Sequence, residues 1–270
     1  MRRRLDQEMV RRELVDSRAR AKALIEEGNV RVGGAPTVNA ARMVDAGEPI
    51  QLVGPPARYV GRGGEKLEAA LGRFDIDVTG KRALDVGAST GGFTDCLLQH
   101  GAMSVVALDV GTAQLHERLR ADDRVDVREK TNIRHVTIDD FDSQPFRIVT
   151  VDVSFISLRT IAGKIVDELV GPDADVVTLV KPQFEAGRAE VSKGKGVVSD
   201  PEVWRRVLDE VVSAMSDLGA ATMDIMVSPL LGAEGNVEFL AHWRAHNDAG
   251  VAESVDLGTV IAEAQAKRGI

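Results

Sequence analysis

Apolar segments of strand length alternate with helical segments from residue 82 to residue 228, and this alternation limits the possible folds more than any other feature. The predicted strands are Arg82–Val86, Ser104–Val110, Val125–Glu129, Arg147–Val153, Asp175–Val180 and Thr222–Ser228. Apolar strands that alternate with helices are typical of a parallel sheet covered on both faces. The sequence therefore predicts an α/β, doubly wound, Rossmann-like domain. A last strand near Val237–His242 is expected to pair antiparallel at the edge of the sheet.

The first 56 residues have a different pattern. Two short helical segments precede three short strand-like segments. The Gly-Pro-Pro sequence at 54–56 then favours a stiff linker, because proline resists both helix and central strand. This pattern predicts a small N-terminal α+β domain at 1–56, a linker at 57–63 and the larger domain at 64–270.

Charge is unevenly distributed along this chain, whose formal net charge is −8. Residues 1–60 hold 11 basic and 8 acidic residues, whereas the remainder holds 23 basic and 34 acidic residues. The positive excess of the small domain predicts a docking surface for a polyanion, and an ordinary solvated helix face is the alternative. The candidate contacts are Arg4, Arg11, Arg12, Arg18, Arg20 and Lys22.

Cysteine content and hydropathy predict the compartment. Cys96 is the single cysteine, so no internal disulfide can form, and no apolar run approaches the roughly 20 residues that cross a bilayer. The basic residues 2–4 are not followed by the apolar run of a signal peptide. We therefore expect a cytoplasmic protein without transmembrane insertion. His242 and His246 have the helical spacing of metal ligands, but no third ligand accompanies them, and no metal is expected.

The most informative motif joins the first strand of the large domain to a helix through a glycine-rich turn. It reads Ala83-Leu84-Asp85-Val86-Gly87-Ala88-Ser89-Thr90-Gly91-Gly92-Phe93-Thr94. Ligands of doubly wound sheets bind at such a turn. A dinucleotide fingerprint would have glycine where Ser89 stands, and the carboxylate of Asp85 would repel a pyrophosphate. The motif therefore disfavours NAD.

Two carboxylates favour a different cofactor. Asp85 suits a ligand that bears an ammonium and a sulfonium, and Asp109, at the end of the next strand, is placed to accept both hydroxyl protons of a ribose. Together they predict S-adenosyl-L-methionine, with Asn132 expected at the adenine edge. The predicted loop contacts are Gly87, Ala88, Ser89, Thr90, Gly91, Gly92 and Phe93. A purely structural turn is the alternative.

Four ionisable residues are the candidate reacting groups. Asp152 and Lys181 each follow an apolar strand, so both should reach the same crevice at the carboxyl edge of the sheet. A buried lysine or aspartate without a partner is costly, which favours pairing of the two. Lys66, on the helix before the first strand, and Glu238, on the last strand, can complete the cluster.

These segments resemble the TlyA-type hemolysin and rRNA methyltransferase family, in which an S4-like RNA-binding module precedes an FtsJ-like (RrmJ) methyltransferase domain. The likeness extends over nearly the whole chain. It is carried by Arg4–Asp6, Asp16–Ala19, Gly28–Val32, Gly61–Leu67, Asp85–Thr94, Asp152–Ser157, Lys181–Glu185 and Gly235–Phe239. The resemblance implies a Lys-Asp-Lys-Glu tetrad at Lys66, Asp152, Lys181 and Glu238. It also implies 2′-O-methylation of cytidine in small- and large-subunit ribosomal RNA, with the linker at 57–60 relaying RNA docking.

Two roles are open for Lys181 in such a transfer. A neutral amine would remove the proton of the ribose hydroxyl as a general base, whereas a charged one would stabilise the developing alkoxide. Lys66, Asp152 and Glu238 would orient Lys181 and balance its charge.

Two other activities are the alternatives. Methylation of a base usually requires an Asn-Pro-Pro-Tyr-like motif or a catalytic cysteine, and Asp152–Phe155 supplies neither. Membrane lysis, to which the family's hemolysin name refers, requires an exposed apolar helix or an oligomerising hairpin. The apolar stripes of this sequence are instead typical of core-facing positions.

Overall fold

The computed structural model describes residues 2–12, 14–15, 18–26, 28–53, 57–194, 196–246 and 255–269. The chain forms two compact units, residues 1–57 and residues 58–270. The proline segment at 54–56 lies outside the described residues, so the domain limits 1–56, 57–63 and 64–270 stay a prediction.

The first unit packs two helices against short strands. Its elements are β1 (Arg3–Arg4), α1 (Leu5–Arg11), α2 (Arg18–Glu26), β2 (Val30–Val32), β3 (Ala35–Pro36), β4 (Met43–Val44) and β5 (Ile50–Leu52). Strand β1 pairs with β4, and β2 lies between β3 and β5. Leu5 and Met9 of α1, four residues apart, are buried together with Ile25 of α2 and Val30 of β2. The predicted α+β character of this unit is confirmed.

The second unit alternates strands and helices. Its first half holds α3 (Gly63–Arg73), β6 (Arg82–Val86), α4 (Gly92–Gln99), β7 (Ser104–Leu108), α5 (Glu117–Arg120), β8 (Val125–Arg128) and β9 (Phe146–Val151). Its second half holds α6 (Leu158–Gly163), which continues as a π-helical segment (Lys164–Leu169), then β10 (Val170–Val180), α7 (Pro182–Glu185), α8 (Arg188–Lys193), α9 (Pro201–Asp217), β11 (Ala221–Val227), β12 (Phe239–Arg244) and α10 (Leu257–Arg268).

Seven strands form one sheet in the order β11-β12-β10-β9-β6-β7-β8. The pairs from β10 to β8 are parallel, and β12 is antiparallel to both of its neighbours. The predicted doubly wound α/β fold is confirmed. The antiparallel direction of the last strand is also as predicted, but its predicted edge position is wrong, because β12 lies between β10 and β11. Its buried run Phe239–Trp243 is explained by this interior position, where both faces of a strand are covered.

Helices cover both faces of this sheet. On one face, Ile161 of α6 and Val207 of α9 belong to an apolar cluster with Val149 and Val176 of the strands. On the other face, helices α3 and α4 bury apolar side chains against β6, β9 and β10. Successive side chains of a strand point to opposite faces of the sheet, so neighbouring residues of one strand contact different sets of helices.

The long helix α9 illustrates why the sequence folds in this way. Asp200 caps its first turn by accepting a hydrogen bond from the Glu202 amide, and Pro201 stands at the first helical position. The buried side chains recur every three or four residues and are Trp204, Val207, Leu208, Val211 and Met215.

Among the helices of the described part of the chain, none is long and apolar enough to cross a membrane.

Candidate active site

The glycine-rich turn at the end of β6 is shaped by close backbone contacts. Gly87 has φ +86°, and a Cβ atom there would lie 2.3 Å from the carbonyl oxygen of Asp152. A side chain is therefore excluded at this position. The Ser89 amide donates to Oδ2 of Asp109 at 2.8 Å, and the Gly111 amide donates to Oδ1 of Asp109 at 2.6 Å. Asp109 thus joins the turns that follow β6 and β7.

A cavity of about 570 Å³ opens at the carboxyl ends of β6, β7 and β9. This volume is in the range of small-molecule and cofactor sites. Its lining includes four of the residues predicted to bind a cofactor: Gly87, Ser89, Asp109 and Asn132. Oδ1 of Asn132 accepts a hydrogen bond from the Arg134 amide at 3.1 Å. The adenine contact of Asn132 stays a prediction.

Asp85 lies beneath this cavity and does not belong to its lining. Its carboxylate is fully buried, and it accepts hydrogen bonds from the hydroxyls of Thr94 at 2.7 Å and Thr150 at 3.1 Å. Burial raises the pKa of Asp85 from 3.8 to about 7, against the opposing effect of these hydroxyls. In this structure Asp85 ties β6 to α4 and β9, rather than facing the cavity as the sequence predicted. The physical reason is strand alternation, which turns its side chain toward α4.

The remaining predicted loop residues also lie outside the lining. They are Ala88, Thr90, Gly91, Gly92 and Phe93. Gly91 has φ +97°, and a Cβ atom there would lie 2.2 Å from Leu119. Phe93 is buried in the apolar core under the turn. Gly91 and Phe93 therefore shape the turn by packing, and the cofactor contacts of all five residues stay predictions.

Sequence reasoning missed several residues of the cavity. They include Val110, Gln114, Ile133, Arg134, Val153, Ser154, Phe155, Ile156 and Thr160. Most stand in loops directly after β7, β8 and β9, so the rule that ligands bind at the carboxyl ends of strands was the signal that could have found them. Phe155 is 92% exposed and has φ +67°, a conformation that bulky residues rarely adopt.

Two lysine–carboxylate pairs stand at the same edge of the sheet. Nζ of Lys181 lies 2.5 Å from Oδ1 of Asp152, which belongs to the cavity lining, and it donates a hydrogen bond to Oγ of Ser154 at 3.1 Å. Nζ of Lys66 donates to Oε2 of Glu238 at 2.5 Å. All four predicted reacting residues are therefore in lysine–carboxylate contacts, and their roles stay predictions.

Strand register brings the two pairs together. Val180 of β10 faces Phe239 of β12, so Lys181 and Glu238 stand at the next facing position. Facing residues of antiparallel strands project to the same side, here the side of Leu179, on which α3 packs. Because Lys66 belongs to α3, the contact between Lys66 and Glu238 follows from this arrangement.

The predicted cationic surface of the first unit is largely ion-paired. Asp6 accepts hydrogen bonds from Arg4 and Arg18, and Glu8 accepts them from Arg11 and Arg12. The hydrogen bond from Arg4 lowers the pKa of Asp6 from 3.8 to about 2, although burial opposes it. Arg11 and Arg12 likewise lower the pKa of Glu8 to about 2.

Arg12 differs from the other predicted RNA contacts. Its guanidinium also donates to the backbone carbonyls of Asp45, Ala46 and Glu48, so its first partners lie within the protein. Nζ of Lys22 lies 3.6 Å from Glu26. The side chain of Arg20 lies outside the described residues. The side chains of Arg11 and Arg18 are about half exposed, and the RNA contacts of this surface stay a prediction.

No group of three or more His, Cys, Asp or Glu side chains within the described ranges is arranged to hold a metal ion. The strand order, the cavity at the carboxyl edge and the two lysine–carboxylate pairs define a doubly wound α/β protein with a small-molecule site. Within that class, the chain belongs to the FtsJ-like methyltransferase family, whose model matches residues 59–245. The S4 domain model matches residues 3–50. Both assignments confirm the family resemblance.

Curated relatives cover most of the chain. The 16S/23S rRNA (cytidine-2′-O)-methyltransferase TlyA of Mycobacterium tuberculosis is 44% identical over 246 residues, which are 91% of each chain. Hemolysin A of Brachyspira hyodysenteriae is 42% identical over 240 residues, 89% of this chain and 99% of that protein. A solved structure of a candidate hemolysin from Streptococcus thermophilus has a TM-score of 0.80 and 38% identity, and the match covers 98% of this chain and 96% of that one.

Proposed function

We propose that this protein transfers a methyl group from S-adenosyl-L-methionine to the ribose 2′-hydroxyl of cytidine in ribosomal RNA. The observation that carries the proposal is the amine of Lys181, which lies 2.5 Å from Asp152 of the cavity lining. An amine at that place can steer or accept a hydroxyl proton. The name of the Mycobacterium tuberculosis relative supports the substrate.

The cavity residues fit S-adenosyl-L-methionine. Asp109 lines the cavity, and each of its carboxylate oxygens, which already accepts one backbone amide, can accept a further hydrogen bond from a ribose hydroxyl. Val110 and Ile133 offer apolar surface for the adenine. Asp152 adds negative charge where a cationic cofactor would end. When bound, the cofactor supplies an electrophilic methyl group.

The chain's own residues then act on the hydroxyl that is methylated. Asp152 is ion-paired with Nζ of Lys181 and Ser154 accepts a hydrogen bond from it, so these two residues orient the amine toward the ribose hydroxyl. Lys66 and Glu238 compensate each other's charge beside this amine. Orientation of the hydroxyl toward the cofactor site is the main contribution of this cluster, because in-line transfer depends on alignment.

The first unit supplies affinity for the RNA in this proposal. Arg11 and Arg18 are half exposed, and guanidinium groups bind phosphate well.

Because the proposed substrate is rRNA, we expect the reaction to take place in the cytoplasm.

The test uses wild-type protein, labelled S-adenosyl-L-methionine and purified ribosomal subunits, followed by nucleoside analysis. We expect label on the 2′-oxygen of cytidine. Label on a base would replace this proposal with base methylation. The hemolysin names of two relatives favour one further candidate, membrane lysis. Absence of transfer together with leakage of phospholipid vesicles by the pure protein would establish that candidate instead.

A further inference from the structure

Glu185 is a buried carboxylate close to the proposed active site that the transfer chemistry does not use. Its residue is 6% exposed, and it ends the short helix α7. Its Oε1 accepts a hydrogen bond from the Leu158 amide at 2.6 Å, and its Oε2 accepts one from the Ser157 hydroxyl at 2.5 Å. Glu185 thus binds the first turn of α6, where unpaired amides favour a carboxylate.

The Glu185 contacts at one end, together with the Lys181 contacts at the other, join two chain segments. One segment runs from Asp152 to Leu158 and follows β9. The other runs from Lys181 to Glu185 and is a single helical turn, in which the Phe184 amide donates to the Lys181 carbonyl at 2.9 Å. At one end Lys181 binds Asp152 and Ser154, and at the other end Glu185 binds Ser157 and Leu158.

The middle of the first segment needs this support. Phe155 lies between the two sets of contacts and has φ +67°, which is unfavourable for a bulky side chain. Its ring is exposed and touches Phe184, with a centroid distance of 5.2 Å. Without an anchor at Ser157 and Leu158, the backbone at Phe155 can relax, and this relaxation moves Ser154 relative to Lys181.

We propose that Glu185 is a positioning residue for methyl transfer, because it fixes segment 152–158 against the helical turn that carries Lys181. The proposal rests on the proposed function. Glu185 itself touches neither the cavity nor Lys181's amine, so it acts through Asp152 and Ser154. Loss of its carboxylate should therefore lower turnover more than it changes substrate binding.

The test compares Glu185→Gln with the matched control Glu210→Gln. Glu210 is an exposed carboxylate of α9 that binds Arg159, as Glu185 does, but it has no contact with the 152–158 segment. Amide hydrogen exchange over 152–160 is measured on full-length protein without cofactor or RNA. Turnover and KM are then measured with ribosomal subunits.

For Glu185→Gln we expect faster amide exchange at 152–160 and at least a tenfold lower kcat. Its KM for S-adenosyl-L-methionine and its KM for ribosomal subunits should both stay within threefold of wild type. The control should stay within twofold of wild type in every quantity. Unchanged exchange, or an unchanged kcat, would overturn the proposal. A joint loss of kcat and of cofactor binding in a folded Glu185→Gln variant would overturn it as well.

Ser157→Ala removes the hydroxyl's hydrogen bond to Glu185 and the one it accepts from the Arg159 amide, while the carboxylate keeps the Leu158 amide. If Glu185→Gln does not fold, this variant decides: a several-fold lower kcat with faster exchange supports the proposal, and wild-type behaviour rejects it. A wild-type enzyme that leaves ribose unlabelled would reject the proposed function instead. The exchange experiment, which needs no substrate, still reports whether Glu185 holds the segment.

Discussion

Lys66 donates a hydrogen bond to Glu238 at 2.5 Å, although 172 positions separate them in the sequence. Their side chains are only 11% and 3% exposed. A buried ion pair of this kind contributes little net stability, but removal of one partner leaves an uncompensated charge. The pair therefore connects α3 to the start of β12, beside Lys181. Loss of the pair should change both the stability of the protein and its activity.

Glu238→Gln should destabilise the protein by about 3 kcal/mol and strongly reduce methyl transfer, because the ammonium of Lys66 loses its counter-charge. The double variant Lys66→Met/Glu238→Leu replaces both charges with apolar groups of similar size. It should regain stability in urea denaturation while methyl transfer stays low. Recovery of activity in the double variant would show that the pair only supports the fold.

Lys181→Ala should abolish methyl transfer while S-adenosyl-L-methionine still binds, since Lys181 contacts Asp152 of the lining but does not itself line the cavity. A lost acid–base group typically lowers the rate by 10²–10⁴-fold. Calorimetry measures cofactor binding, and labelled methyl transfer measures the rate. Lys164→Ala, at an ion pair within one helical turn, is the control and should behave as wild type.

Lys181→Arg separates the two roles of this lysine. An arginine stays charged and cannot accept a proton, but it can stabilise an alkoxide. Complete loss of transfer in this variant indicates a general base, and partial activity with a flat pH dependence indicates a charged stabiliser. Near-normal transfer by Lys181→Ala would remove the lysine from the reaction altogether.

Asp109→Ala should raise the Kd for S-adenosyl-L-methionine at least tenfold. The substitution removes the proposed ribose acceptor and leaves the amides of Ser89 and Gly111 without their partner. RNA affinity, measured without cofactor, should not change. The matched control is Asp126→Asn on neighbouring β8, an exposed carboxylate paired with Arg128. An unchanged Kd for Asp109→Ala would contradict the assignment.

Periodicity and strand order made most of the fold and the reacting cluster predictable. Parallel strands end at one edge of a sheet, so polar residues after two of them, Asp152 and Lys181, could be placed together without coordinates. The interior position of β12 was not predictable from direction alone. Its run from Phe239 to Trp243, apolar except for His242, was the available sign, because an edge strand alternates more often with polar residues.

Side-chain partners were harder to predict than backbone positions. The sequence placed Asp85 near the end of the first strand of the large domain, where the structure has it, but whether its carboxylate meets a ligand or the hydroxyls of Thr94 and Thr150 depends on strand pairing. In the first unit, the arginines predicted to face RNA also pair with Asp6 and Glu8. Those contacts depend on how α1 and α2 pack together, which composition does not determine.

The arginines of the first unit should separate into two groups by substitution. Arg11→Ala and Arg18→Ala should weaken RNA binding and reduce its salt dependence, with little loss of stability, because Glu8 and Asp6 each keep another arginine partner. Arg12→Ala should cost about 1 kcal/mol of stability, since it removes a part-buried hydrogen bond to the Glu48 carbonyl and exposed ones to the carbonyls of Asp45 and Ala46. RNA titrations at several salt concentrations and urea denaturation measure the two effects. Equal RNA affinity in all variants would reject the docking surface.

Asp85 makes stability depend on pH in the direction opposite to most carboxylates. Its pKa rises from 3.8 in the unfolded chain to about 7 in the folded protein, so between these values the folded state binds the extra proton and stability falls as pH rises. Asp85→Asn should therefore be more stable than wild type above pH 7, by at most about 4 kcal/mol, with the difference vanishing toward pH 4. Urea midpoints from pH 4 to pH 8 measure it. The control is Asp122→Asn, whose carboxylate has a pKa lowered to about 2 by Arg124, and it should be less stable than wild type at neutral pH. An Asp85→Asn variant that is less stable than wild type at neutral pH would contradict this prediction, because folding would then favour the ionised carboxylate.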